Sequence, residues 1–388
     1  MNNQLLQSDV QDFIRSYEDE VSKLAFSGSP FKNVSTIELI EQIESLRKAK
    51  TKLPSWFAKQ NIIFPPKRNL EQTSSEITAE YKSSLLKGNT LADITGGFGI
   101  DSLYFAKRFE KVTHFELNEA LSEMASYNFK QFGITNIRCL AKDGLNAVLS
   151  NSYHTIYADP SRRHASKGKV FFLNDCEPNI PSHLDDILAH CDVFLLKTSP
   201  MLDISAGLKE LKSVAEIHIV AVNNEVKELL WLLKKNHTAP PHIKTINITP
   251  DTCITFDFDW QTLAEVNFSA PSAYLYEPNA SIMKSGGMDH LAAAYSLHKI
   301  HEHTHLFTSN EFISFPGRCF LIEEVVPYSK KNMRKISRFE KANISTRNFL
   351  LSVAELRKKW KIRDGGEEYL FFVTLNDNSK AVLVCKKT

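Results

Sequence analysis

Apolar residues recur at spacings of three and four over Val10–Leu24, Thr36–Ala49 and Ser75–Leu86, the period of amphipathic helices. Ser75 stands where a helix would start, and Pro65-Pro66 breaks the chain just upstream. After Lys87 the pattern changes to short apolar runs alternating with helical ones. A strand runs into Asp93 and a helix begins near Ile100. A strand at Lys111–Phe115, a helix at Glu119–Phe132, and strands at Asn136–Ala141, His154–Ala158 and Asp192–Leu196 follow. Ala206–Leu211 reads as a helix, Glu216–Val222 as a strand and Glu225–Lys235 as a helix. Ile243–Ile248 and Cys253–Phe258, separated by a Thr-Pro-Asp turn, read as an antiparallel pair that closes a sheet. Past Ala270-Pro271, strands at Gly317–Val326 and Tyr369–Thr374 flank a helix at Phe349–Trp360. Asn376-Asp377-Asn378 then turns the chain into Ala381–Cys385. The pattern implies three segments: a helical region over 1–88, an α/β domain over 89–270 and a smaller α+β region over 271–388.

The candidate chemistry lies where the first strands end. In Leu91-Ala-Asp-Ile-Thr-Gly-Gly-Phe-Gly-Ile-Asp101, an apolar strand gives way to three glycines and then a helix start. Gly96, Gly97 and Gly99 let the backbone take positive φ and approach a ligand with no Cβ in the way. The helix start adds N–H groups suited to a carboxylate or phosphate. The next strands end in Glu116, Asp143 and Asp159, so four successive strands terminate in an acid. Glu116 stands about 20 residues past the glycines, where dinucleotide folds place an acid for ribose hydroxyls. The spacing Gly96-Gly97-x-Gly99 departs from G-x-G-x-x-G, which argues against a dehydrogenase.

Asp93-Ile-Thr-Gly-Gly-Phe-Gly99, followed by Glu116, Asp143 and Asp159-Pro160, resembles the successive motifs of the class I S-adenosylmethionine-dependent methyltransferases across Leu91–Pro200. The resemblance implies a Rossmann-like methyltransferase sheet and S-adenosyl-L-methionine as cofactor. It implies that Asp93, Thr95, Gly96, Gly97 and Gly99 hold the methionine part, Glu116 the ribose, and Asp143 with Gly144 the adenine side. Asp159 and Pro160 would then face the acceptor. More widely, the chain is similar to bacterial methyltransferases with a C-terminal THUMP-like domain. The matching stretches are Glu71–Lys82, Tyr274-Leu-Tyr-Glu-Pro-Asn279, Arg347-Asn-Phe-Leu350 and Asp364-Gly-Gly366. That similarity implies that Gln72–Lys82 helps to close the cofactor site, and it names RNA as partner.

Methyl transfer from a sulfonium is an in-line displacement, so the protein mainly orients the acceptor and manages its proton. Asp159 beside Pro160 suits that task. Arg162 and Arg163 supply planar, permanently charged forks that suit phosphate, with surface ion pairing as the plainer use. Many nucleic-acid amino methyltransferases carry an aromatic at the end of this motif to stack a base; this chain has Ser161-Arg162-Arg163. That departure speaks against an exocyclic amine. Carbon methylation of a pyrimidine would need a nearby thiolate. No Cys ends the fifth strand, and Cys176 and Cys191 read as small buried hydrophobes. A nitrogen or oxygen acceptor remains.

Composition adds direction. The 388 residues carry a net charge of +2, yet Ser329–Thr388 holds fifteen Lys/Arg against six Asp/Glu, which leaves the rest of the chain acidic. A basic region with the dense run Arg357–Arg363 suits a polyanion, or is a solvated helix face. No apolar run approaches the ~20 residues of a membrane span. The opening residues lack a signal-peptide core, and the six cysteines form no C-x-x-C pair, so a cytoplasmic protein is expected. His298, His301, His303 and His305 are close in sequence but lack a second ligand set, so no metal is expected. No obligate protein partner is evident. The sequence thus points to a methyltransferase acting on tRNA or rRNA. The alternatives are a protein or small-molecule acceptor, or a non-catalytic RNA-binding module on the same fold.

Overall fold

The computed structural model of the chain describes residues 2–162, 172–336 and 338–388. It divides into two compact units, Met1–Glu216 with Glu228–Ala239, and Ile217–Lys227 with Pro240–Thr388. Among the described residues no helix is long and apolar enough to cross a membrane.

The first unit opens with helices α1 (Ser8–Ser16), α2 (Val21–Ser27), α3 (Thr36–Lys52), α4 (Pro54–Ala58), α5 (Lys67–Gln72) and α6 (Glu76–Ser84). The apolar run expected over Val10–Leu24 is two helices rather than one. Between them Arg47 of α3 donates to the Tyr17 and Asp19 carbonyls at 2.9 and 2.7 Å, holding the chain in a bend. Ser75 caps α6 in a reciprocal arrangement with Thr78, as its position implied. Between α4 and α5, Ile62–Phe64 is buried yet belongs to no helix or strand, so its backbone polar groups need side-chain partners. Two amides supply them. Gln42 donates to the Phe64 carbonyl at 2.6 Å and accepts the Phe64 N–H at 2.9 Å. Asn128 does the same for Ile63, at 2.8 and 3.2 Å.

The sheet of this unit contains β1 (Gly88–Asp93), β2 (Phe109–Phe115), β3 (Ile137–Leu140) and β4 (Tyr153–Ala158). A short pair follows, β5 (Ser161–Arg162) with β6 (Cys176–Glu177), and then β7 (Cys191–Thr198). Between these strands lie α7 (Ile100–Phe105), α8 (Glu119–Gln131), α9 (Gly144–Val148) and α10 (Ile180–Ala189); α11 (Ile204–Glu210) follows β7. β8 (Val214–Val222) leads through Asn223 and Asn224 to β9 (Glu225–Lys234). The order is β9-β7-β4-β1-β2-β3, with β7, β4, β1, β2 and β3 parallel and β9 antiparallel to β7. The strand order reverses direction about β1, and ligands of open α/β sheets sit outside the carboxyl ends at such a point. This is the Rossmann-like methyltransferase sheet that the motifs implied.

The segment expected as a helix over Glu225–Lys235 is instead strand β9, Glu225–Lys234. Its Leu229–Leu233 core is buried throughout, so it lacks the alternation that marks a half-exposed strand, and leucines favour helix by propensity. Asn223 and Asn224 both take positive φ, 51° and 62°, the backbone of a two-residue strand connection.

In the second unit β10 (His242–Ile248) and β11 (Cys253–Asp259) form the expected antiparallel pair. A second sheet follows. Its strands are β12 (Asn267–Phe268), β13 (Tyr274–Pro278), β14 (His298–Lys299), β15 (Phe307–Ser309), β16 (Gly317–Pro327), β17 (Asn343–Arg347), β18 (Glu368–Thr374) and β19 (Lys380–Lys387), in the order β12-β14-β15-β13-β16-β19-β18-β17. Helices α12 (Ala280–Ser285), α13 (Met288–Ala294), α14 (Met333–Ile336) and α15 (Val353–Trp360) complete this α+β region. β18 shows how both faces are used. Phe371 and Val373 enter one core with Leu275 and Phe320, while Leu370 and Phe372 enter another with Leu356 of α15. His298 lies in β14, and the other three histidines of the cluster lie between β14 and β15, where His301 Nδ1 accepts the His303 N–H at 2.9 Å.

The amide clamp makes a measurable claim. Asn128→Ala strands a buried N–H and a buried C=O of Ile63, and should cost about 1–3 kcal/mol in chemical denaturation. An unchanged midpoint would show that the clamp contributes nothing.

Candidate active site

The carboxyl ends of β3, β2, β1 and β4 place Asp143, Glu116, Asp93 and Asp159 along one edge, on strands paired in parallel register. The glycine turn sits at its centre. A Cβ at Gly96 would lie 2.3 Å from the His114 ring, and one at Gly99 would lie 2.4 Å from Phe129; Gly97 and Gly99 also have φ of +54° and +88°. The turn is thus pressed against β2 and α8, and only glycine fits. Gly144 is equally tight, since its Cβ would meet the Ile94 carbonyl at 2.5 Å.

The acids differ in what they hold. Asp93 is buried. Its Oδ2 accepts from Ser102 at 2.6 Å and its Oδ1 from the Thr95 N–H at 3.2 Å. Burial pushes its carboxyl up to about 8. Glu116 accepts the Gly97 N–H at 2.9 Å through one oxygen and the Asn118 N–H at 2.8 Å through the other. The acid after β2 therefore fastens the glycine turn directly. Asp143 caps α9, accepting from the Asn146 backbone and side chain at 3.1 and 2.8 Å. Thr95 joins the first turn to the fourth, its Oγ1 accepting the Asp159 N–H at 2.6 Å. Beyond Pro160, Ser161 and Arg162 form β5 opposite Glu177 and Cys176, and Arg163 lies outside the described residues.

Behind this edge lies a buried charge network that the sequence did not reveal. Lys82 of α6 is fully buried. Its Nζ lies 3.0 and 2.9 Å from the two Glu228 oxygens, 2.9 Å from Ser74 Oγ and 3.2 Å from Asp101 Oδ1. Asp101 Oδ2 accepts from Ser74 and from Tyr157, both at 2.8 Å. Lys197, at the end of β7, lies 2.6 Å from Asp159 Oδ2. Burial raises the Glu228 carboxyl, against the pull of Lys82 and Lys197. Burial works to lower Lys197, but Asp159 and Glu228 outweigh it and hold the ammonium above its ordinary range. Burial also pushes the Cys191 thiol up to about 12, so no thiolate forms there.

Lys82 and Ser74 fall in the stretch singled out before the glycine turn, and Asp101 closes the turn segment. Lys197 directly follows the strand expected over Asp192–Leu196, and nothing in that position announces its partner. Glu228 was hidden because its segment reads as helix; the available signal was a lone acid abutting five consecutive apolar residues.

Two consequences are testable. Between about pH 4 and 8 the folded state holds a proton on Asp93 that the unfolded chain releases, so this group's contribution to stability falls as pH rises. The stability of the wild type relative to Asp93→Asn should decline over that range, and a flat difference contradicts the assignment. Lys82→Met leaves the buried Glu228 and the partly buried Asp101 without their shared cation and should cost about 3–5 kcal/mol. Adding Glu228→Gln should recover part of that loss, whereas strictly additive losses would deny the coupling.

Comparison with known proteins bears on the whole chain. Residues 317–387 match the family described as THUMP domain-like, and residues 274–316 one described as a ferredoxin-like domain. The crystal structure of a "putative methyltransferase" from Porphyromonas gingivalis W83 matches with TM-score 0.89 at 30% identity, covering 100% of this chain and 98% of that one. An rRNA methylase from Streptococcus thermophilus matches 41% of this chain and 94% of its own at 16% identity and TM-score 0.31. SMU.1697c of Streptococcus mutans, solved in complex with SAH, matches 41% of this chain and 96% of its own at 14% identity and TM-score 0.30. No curated protein matches. With the full-length match joined to the strand-end motifs and the C-terminal domain, the chain belongs to the family of class I methyltransferases that carry a THUMP-like domain.

Proposed function

We propose that this protein is an S-adenosyl-L-methionine-dependent methyltransferase that modifies RNA at a nitrogen or oxygen acceptor. The observation that carries this reading is the edge itself: a glycine turn that tolerates no Cβ, flanked by acids at the ends of four neighbouring parallel strands. The residues suit the cofactor. Gly96, Gly97 and Gly99 leave bare backbone for the methionine part, with Asp93 and Thr95 holding the turn in shape. Each Glu116 oxygen takes one backbone N–H and keeps a further acceptor site for a ribose hydroxyl. Asp143 and Gly144 border the adenine side. When bound, the cofactor supplies a methyl group on a positively charged sulfur, open to in-line displacement. The chain's own part is to orient the acceptor, exclude water and accept a proton at Asp159, with Pro160 stiffening the loop and Arg162 and Arg163 engaging phosphate or base.

RNA is favoured by the THUMP domain-like match and by the basic bias of the last sixty residues. Lys358, Lys359, Lys361 and Arg363 are exposed on and after α15, as a phosphate-binding surface requires. A cytoplasmic location fits such a substrate.

Calorimetry should detect binding of S-adenosyl-L-methionine, and Glu116→Ala should weaken it at least tenfold, about 1.4 kcal/mol. No heat of binding, or an unaffected variant, would remove the cofactor assignment. Affinity for bulk RNA should fall linearly in a log–log plot against salt. A flat response would favour an uncharged small-molecule acceptor.

A further inference from the structure

Four alternating charges run from the interior of the first unit to its strand-end edge: Lys82, Glu228, Lys197 and Asp159. Lys82 and Glu228 are sealed, with 0% and 2% of their side chains exposed, whereas Lys197 and Asp159 retain 15% and 28%. A ligand can therefore reach only the outer pair. Buried ion pairs of this kind seldom raise stability over apolar packing, so a run of them converging on one edge points to chemistry.

Building on the reading as an RNA methyltransferase, we propose that the acceptor is a ribose hydroxyl held between Lys197 and Asp159. Donors and acceptors select the group. An ammonium offers three N–H donors and accepts nothing, whereas a carboxylate only accepts. The group that satisfies both must accept from one and donate to the other. A hydroxyl does this: one lone pair takes the Lys197 N–H, its proton goes to Asp159, and the second lone pair stays available for attack. An exocyclic amine presents two N–H donors and a lone pair delocalised into its ring, so it would set a donor against Lys197. The loop agrees, because Ser161-Arg162-Arg163 offers no aromatic to stack a base. The 2′-hydroxyl is also the group that separates RNA from DNA.

The step balances without a further reagent. The hydroxyl oxygen forms a bond to the methyl carbon as that carbon's bond to sulfur breaks. The bonding pair leaves with sulfur, giving a neutral thioether, and the hydroxyl proton passes to Asp159 and then to solvent. Lys197 stays protonated, its charge stabilising the oxygen as it becomes nucleophilic. Lys197 and Asp159 are catalytic residues in this scheme. Glu228, whose charge joins that of Asp159 in keeping Lys197 protonated, and Lys82, which reaches both Glu228 oxygens, are positioning residues.

The test uses the full chain, S-adenosyl-L-methionine with a tritiated methyl group, and total RNA from cells lacking the gene. A 2′-O-methyl group blocks alkaline cleavage at its own phosphate. Label in alkali-resistant dinucleotides, with the matching 2′-O-methyl nucleoside by mass spectrometry, is the expected result. Label on the bases of mononucleotides would overturn the hydroxyl proposal while leaving the RNA reading intact. Cofactor binding with no label in RNA would overturn both. Lys197→Met should lower kcat a hundredfold or more while calorimetric affinity for S-adenosylhomocysteine changes less than threefold, and Lys197→Arg should restore at least tenfold of the loss. Glu228→Gln should shift the pH profile of kcat. A Lys197→Met enzyme that turns over at the wild-type rate would refute the role of the ammonium.

Discussion

The constraint on which the first unit depends is the neutralisation of charge inside it. Lys82 stands fully buried among Glu228, Asp101 and Ser74, and Lys197 stands against Asp159 at the rim. Removing two charges from water costs several kcal/mol per ion, and their attraction offsets this only where geometry and added hydrogen bonds are good. Here the hydrogen bonds are present: Ser74 and Tyr157 both donate to Asp101, and Lys82 reaches both oxygens of Glu228. The network ties α6, the start of α7, β4 and β9 to one another, so a helix before the sheet and its antiparallel strand are fixed by the same few atoms.

The rim is built by a second set of short contacts. Asp93 and Thr95 shape the glycine turn, Glu116 holds its Gly97 N–H, and Thr95 passes the register on to Asp159. The backbone of the turn is pressed against His114 and Phe129 so closely that side chains at Gly96 and Gly99 are excluded. A reacting site needs its groups held within fractions of an ångström, and this one is held by strand ends rather than by free loops. Acidity follows from the same packing: burial, with the nearby charges of Asp101 and Asp159, takes the Asp93 carboxyl up to about 8 against the hydrogen bonds from Ser102 and Thr95.

Much of this was legible in the sequence because it is local. Strand, glycine turn and helix follow one another within Leu91–Phe105, and the acids at 93, 116, 143 and 159 each end a run whose period is plain. Ser75 declares a helix start through a capping pattern three residues long. The unread parts are non-local. Lys82 and Glu228 are 146 residues apart, and no periodicity shows that they meet. Glu228 lies in a strand that reads as a helix, because a leucine run buried on both faces carries no alternation. Likewise, nothing near Asn128 or Gln42 announces that their amides complete the backbone of Ile63 and Phe64. Side-chain periodicity reports which face is buried and says little about which partner waits there.

The chemistry depends on where the cofactor lies and what its sulfur faces. A crystal structure of the chain with S-adenosylhomocysteine measures both. The expected density lies over Gly96–Gly99, with ribose hydroxyls within hydrogen-bonding distance of Glu116 and the sulfur turned towards Asp159 and Lys197. A ligand bound elsewhere, or lying on the turn with its sulfur directed away from that ion pair, would contradict it.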